Sequence, residues 1–402
     1  MLSGSSRMNR RHWLQFAGAF AAGGLLSRSR PAVAALRPEI KSTQVISHQP
    51  NLYHGWPTLT RRRNGELLLV YSGGREAHVC PFGRVELMRS QDDGQMWTWP
   101  RVLMDGPIDD RDSGILETAK GSILVTTFTS LAFERSFDDA KLWPKDKRER
   151  WLAVRDRINP EQRKKELGVW MIRSTDGGAS WSARYNCLVN SPHGPIQLSD
   201  GRVLYAGKDD SSDSERKRHG SRIGVCESTD DGQSWRWLAT IPTRQGDNRR
   251  NYHELHAVET SDGRIIAHIR NHNKRNNRET LQTESSDGGK NWSVPHEIGV
   301  WGCPSHLLRL QDDRLLMSHG HRRPPYGNQA RISKDHGRTW SQPIIISGDG
   351  QSADLGYPST VQLDDGSFLT VWYELMKGST DRFGQPSATP AVLRQARWRL
   401  NG

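Results

Sequence analysis

The octapeptide Ser174-Thr175-Asp176-Gly177-Gly178-Ala179-Ser180-Trp181 decides the fold, because its pattern, Ser-x-Asp-x-Gly-x-x-Trp, occurs five times. The other copies run over 90–97, 228–235, 285–292 and 333–340, with their aspartates at Asp92, Asp230, Asp287 and Asp335. Each reads as a tight turn: the carboxylate accepts N–H groups of its own loop, the Gly takes a backbone conformation closed to residues with a Cβ, and the Trp packs beneath. That is a structural use of aspartate rather than sugar or ion binding. Successive aspartates lie 84, 54, 57 and 48 residues apart, too far for one hairpin and suited to a four-stranded sheet with its turns. The spacing predicts an all-β chain with one β-propeller blade per repeat.

With 402 residues, 15 Trp and 34% hydrophobic content, the chain can bury a large core of short alternating strands, predicted as a single closed domain over residues 35–402. The formal charge of +12 includes five arginines from residues 1–34, which hold no acid, so +7 remains beyond them. A mild positive excess suits an anionic ligand. No basic run interleaved with aromatics points to nucleic acid. In residues 1–34, Arg10-Arg11 precedes an apolar Ala- and Gly-rich stretch at 16–26 and the small-residue site Ala32-Val33-Ala34. This resembles a twin-arginine export signal, which predicts a periplasmic or secreted protein with no stable membrane insertion after cleavage; the apolar run is too short to span a bilayer. The scattered Cys80, Cys187, Cys226 and Cys303 form no CxxC pair, so metal binding by them is not expected and buried free thiols are. No cofactor is implied, no spacing demands calcium, and nothing sets an oligomeric state.

A second periodicity runs independently of the Trp turns: a polar or aromatic leading residue, a short apolar run, a Gly or Asp turn, another apolar run and a polar exit. Its six instances begin at His54-Gly55-Trp56-Pro57, Arg111-Asp112-Ser113, His193-Gly194-Pro195, His253-Glu254-Leu255-His256, Cys303-Pro304-Ser305-His306 and Tyr357-Pro358-Ser359. They exit at Arg75, Thr129, Lys208, Arg270, His319 and Tyr373. Six hairpins against five Trp turns predict six blades, the last completed by the N-terminal strand so that no sheet edge is left open. If the hairpins are innermost, their leading and exit residues converge at one mouth of the channel. Residues 142–167, with Pro144, Pro160 and two charged runs, predict a helical insertion over one rim; 208–219 reads as a loop.

The repeated turn resembles the Asp-box of bacterial sialidases and their relatives, across about residues 45–400. The resemblance implies a six-bladed propeller and, in the sialidases, a Tyr nucleophile activated by a Glu. Gly356-Tyr357-Pro358-Ser359 is similar to the Tyr position and Glu254 to the Glu position. A phenol is suited to the task because a carboxylate nucleophile would be repelled by the carboxylate of the sugar. Of three arginines that clamp that carboxylate, Arg270 matches the second and Arg322 or Arg323 the third. The first is replaced by Gly55-Trp56-Pro57. Arg75 aligns with an arginine that contacts the sugar ring, and His54 and Asp112 stand at the expected mouth. The family's acid Asp is absent after Arg75, leaving His78, Glu76 or Asp112 to protonate the leaving oxygen.

Three readings follow: hydrolysis of a terminal acidic sugar from a glycan; a lyase on uronic-acid chains, favoured by His54, His193, His253, His256, His306, His319 and His321 near the mouth; or a binding-only propeller blocked by Trp56 and Tyr326.

Overall fold

In each Trp turn the aspartate and serine are spent on their own loop. In the first copy Ser90 Oγ donates to Asp92 Oδ1 at 2.7 Å and accepts from the Gly94 N–H at 2.9 Å, while the Met96 N–H donates to Asp92 Oδ1 at 2.9 Å. Asp176, Asp230, Asp287 and Asp335 each accept the equivalent N–H four residues on. Gly94 has φ of 84° and a Cβ there would meet Leu369 Cδ2 at 2.7 Å, so both the turn and the neighbouring blade require glycine.

The structure is a computed structural model that describes residues 37–49, 51–137, 144–209, 222–375 and 391–401. The export segment at 1–34 and nearly all of the 208–219 loop lie outside the described residues. Residues Leu36–Gly402 form one unit, built of six four-stranded antiparallel sheets. Five sheets take their strands in chain order. The sixth pairs Leu355–Gln362, Phe368–Leu375 and Ala391–Asn401 and is finished on its outer edge by Arg37–Val45, the closure that the missing sixth Trp turn implied.

All six predicted hairpins are the inner pair of a blade: Tyr53–Arg61 with Leu67–Arg75, Asp109–Glu117 with Ile123–Ser130, Ile196–Gln197 with Val203–Lys208, Tyr252–Glu259 with Ile265–Asn271, Ser305–Arg309 with Leu315–His321, and Leu355–Gln362 with Phe368–Leu375. Apolar side chains between adjacent sheets, such as Leu69, Met88, Leu369 and Leu393, make the core.

Four innermost strands break register just where the motifs begin, at Gly55/Thr58, Arg111/Gly114, Tyr252/Leu255 and Gly356/Ser359. Three residues in these bulges have left-handed backbones: Trp56 at φ 55°, Asp112 at 41° and Tyr357 at 51°. An extra residue in a strand re-aims its side chain, and bulges collect near functional sites for that reason.

The insertion is helical, as α1 (Lys145–Arg155) and α2 (Pro160–Lys165). It is docked rather than merely solvated. Trp151 of α1 is fully buried with Cys80, Ile108 and Phe133, its indole donates to Glu76 Oε2 at 2.8 Å, and Arg150 meets the same carboxylate. The helix thereby pins the loop that carries His78. Cys80, Cys187 and Cys226 are buried and Cys303 is partly buried, and none of the four is in a disulfide.

Candidate functional site

The bulges gather one cluster. Tyr357 Oη donates to Glu254 Oε1 at 2.7 Å, and Arg270 Nη1 donates to both Glu254 oxygens at 2.9 and 2.6 Å and to Tyr357 Oη at 3.0 Å. These three residues come from the fourth and sixth blades and line one cleft of about 630 Å3. Burial would raise the Glu254 carboxyl, but the Arg270 charge and the Tyr357 hydroxyl outweigh it and hold it at about 2. Burial first, and Glu254 second, push the Tyr357 phenol well above its ordinary range, so at neutral pH a protonated phenol faces an ionised carboxylate that can take its proton.

Asp112 lies on the same cleft. It is 5% exposed and its Oδ1 has no hydrogen-bond partner. Burial lifts its carboxyl to about 7, Arg111 working against the rise and Glu254 with it.

His78 also lines the cleft, its Nδ1 lying 3.0 Å from Asp354 Oδ1 and 2.8 Å from Tyr53 Oη. Asp354, which the sequence reading did not single out, additionally accepts from Tyr373 Oη at 2.9 Å. Burial lowers the His78 imidazole, although Asp354 pulls it up. Glu76, the third acid considered, is taken up by Arg150 and Trp151.

The cations separate into two groups. Arg322 lines the cleft, its Cζ 5.6 Å from the Tyr357 ring centroid, with Nε on the Leu355 carbonyl at 2.9 Å and Nη2 free of protein partners. Arg323 points outward and stacks on Trp301 at 3.8 Å. Arg75 does not reach the cleft, contrary to expectation: it is fully buried and held by Asp109 through bonds of 2.6 and 3.0 Å. Its guanidinium instead underlies the Trp56 ring at 4.9 Å. Over that ring, at 4.5 Å, lies Arg111, which lines the cleft with its Nε unpartnered. Trp56 and the Arg111 guanidinium, which comes from the second blade, therefore line the cleft together. Arg278 and His272 line the cleft as well; nothing in the sequence marked them.

His54 is corrected in the same way as Arg75. It is 1% exposed, packs edge-on to Tyr71 at 5.4 Å, and burial lowers it to about 4. The histidine-rich mouth is likewise not found. His193, His256 and His306 line a different recess, with His256 stacked on His306 at 4.8 Å and His193 edge-on to both at 5.4 and 5.0 Å, and burial lowers all three imidazoles. His319 is buried too, and His253 and His321 pack against His272 and Trp301. Tyr326 is not among the lining residues. Among the described residues no group of three or more His, Cys, Asp or Glu is placed to hold a metal ion, and no helix is long and apolar enough to cross a membrane.

The six blades, the repeated turn and the N-terminal closing strand define a sialidase-like propeller. Residues 146–370 match the BNR repeat-like domain family, and the chain belongs to it. No curated protein matches it in sequence. Among solved structures it is similar to a protein of unknown function from Dyadobacter fermentans, at 22% identity and a TM-score of 0.70, over 90% of this chain and 99% of that one. It is also similar to the Hadza microbial sialidase Hz136, at 18% identity and a TM-score of 0.59, over 86% of this chain and 65% of that one. The intramolecular trans-sialidase from Ruminococcus gnavus, solved with oseltamivir carboxylate, aligns at 12% identity and a TM-score of 0.58, over 86% of this chain and 94% of that one. At such identities the likeness is one of fold.

Proposed function

We propose that the protein is an exported glycoside hydrolase that releases a terminal acidic sugar from a glycan. The observation that carries this reading is the Tyr357–Glu254–Arg270 cluster, with a phenolic hydroxyl 2.7 Å from an ionised carboxylate on an open cleft. In the first step Tyr357 Oη bonds to the anomeric carbon while Glu254 takes its proton, and the bond to the leaving oxygen breaks as that oxygen gains a proton. Asp112 is the better donor for that proton: its carboxyl stays protonated up to about pH 7, while His78 is held neutral and engaged by Asp354 and Tyr53. In the second step water attacks the same carbon, Asp112 takes the water proton, and Tyr357 leaves with the proton returned by Glu254. Arg322 and Arg111, each with a free guanidinium nitrogen, and Arg270 bind the sugar carboxylate.

The test is Tyr357→Phe assayed on aryl glycosides of sialic acid and related keto acids. We expect kcat to fall by about 10^3-fold or more; unchanged turnover sinks the mechanism. A lyase is the second reading, favoured by the neutral His78 beside Asp354 as a proton acceptor, and ultraviolet absorbance from an unsaturated product would establish it instead. Export rests on the Arg10-Arg11 segment; retention of an Arg10→Lys/Arg11→Lys variant inside the cell is the expected result.

A further inference from the structure

A second recess, of about 410 Å3, opens beside the cleft and shares Arg278 and Trp301 with it. Its remaining lining is Lys274, Asn277 and Arg323, so it contains three cations, one indole and no acid. Among the described residues none of these cations has an ion-pair partner. The arrangement is held in place. The Asn277 carbonyl accepts from Trp301 Nε1 at 2.8 Å and from Arg323 Nη2 at 3.1 Å, which holds the guanidinium carbon 3.8 Å from the indole centroid. Asn276, Asn277 and Arg278 all have left-handed backbones, at φ 52°, 52° and 62°, a strained run of the kind that persists where it positions a group.

We propose that this recess is a second anionic subsite, which receives the carboxylate or sulfate of the sugar next to the one in the cleft while Trp301 supports its ring face. The proposal rests on the glycan reading above and narrows it to oligosaccharides that carry negative charge on two successive units. Because the recess shares Arg278 and Trp301 with the cleft, the next unit of the same glycan can reach it. Unpaired guanidinium groups beside an indole offer bidentate bonds to anionic oxygens and a stacking surface together.

The experiment is calorimetric binding to the Tyr357→Phe protein at low and high salt. One probe pair is 3′-sialyllactose against disialyllactose; the other is methyl galacturonide against digalacturonate. We expect the doubly charged member to bind about tenfold tighter at low salt, with most of that advantage lost at high salt. In a Lys274→Ala/Arg323→Ala variant, whose two positions are exposed and outside the cleft, the advantage should disappear while the singly charged probe binds as before. Equal binding of both members, an advantage that survives the double variant, or binding of no probe overturns the proposal. A retained advantage in a wild-type protein that cleaves none of these probes, or their aryl glycosides, would instead refute hydrolysis and leave the subsite standing.

Discussion

Replacing Asp112 by Asn should stabilise the protein at neutral pH while removing most of its activity. Burial lifts the carboxyl from its ordinary 3.8 to about 7. At about 1.4 kcal/mol per pH unit, ionising it in the folded chain therefore costs on the order of 4 kcal/mol. The sign follows from which state ionises first. Below pH 4 the group is protonated in both states and the substitution is nearly neutral. Between pH 4 and 7 the unfolded chain loses its proton and the folded chain does not, so wild-type stability falls as pH rises; above 7 the deficit is constant. Asn does not titrate, tolerates the left-handed backbone at this bulge, and escapes that deficit. Thermal midpoints of wild type and variant measured from pH 4 to 8 should diverge with pH in favour of the variant, by a few degrees at the upper end, while turnover falls by about 10^2-fold or more. If the gap between the two midpoints is the same at pH 5 and pH 8, Asp112 ionises like an exposed carboxylate and its role as proton donor is refuted.

Arg75→Ala and Arg322→Ala should separate structure from binding. The first strands the buried Asp109 and should cost about 3–5 kcal/mol of stability, read by urea unfolding, whereas the second should leave unfolding unchanged and raise KM by about tenfold or more. Asp176→Ala in the second Trp turn, where the carboxylate accepts from Ser174 and Ser180, should lower the thermal midpoint with kcat unchanged; a lost activity would mean that these aspartates bind ligand after all.

The frame was legible because each blade repeats the same local physics. A serine, an aspartate and a glycine at fixed offsets close a turn whichever blade they belong to, and each inner hairpin sets two buried apolar runs on either side of a Gly or Asp turn. The missing sixth turn even showed where the ring closes. What failed was direction. Along an unbroken strand, residues two apart face the same way, but the slips at Gly55/Thr58 and Arg111/Gly114 change that parity. So His54 turns into the core while Trp56 lines the cleft, and Arg75 pairs with Asp109 beneath it. Bulges of this kind have no compositional mark at Trp56, Asp112 or Tyr357, none of which is glycine. Asp354 and Arg278 reach the cleft from outside the strands, where the alternation of apolar runs and turns carries no signal. The pairing of Tyr357, Glu254 and Arg270 across 103 residues came from the resemblance to sialidases, not from spacing.

The two carboxyls of the cleft have been driven apart by their surroundings, and the proposed hydrolysis uses that separation, with one as base and the other as acid. Glu254 touches a guanidinium and a phenol and stays ionised at any pH above about 2; Asp112 has no hydrogen-bonding partner for Oδ1 and keeps its proton to about 7. A base and an acid so arranged give a one-sided profile: kcat/KM should be flat through mildly acidic pH and decline above about 7, with no acid limb from Glu254. The leaving group supplies the control. A phenolate that departs unaided needs little help from Asp112, so aryl glycosides should lose the alkaline decline that glycans with sugar alcohol leaving groups retain. Were the decline equally steep for both, the titrating group would be controlling binding or folding, and protonation of the leaving oxygen would have to be reassigned to His78.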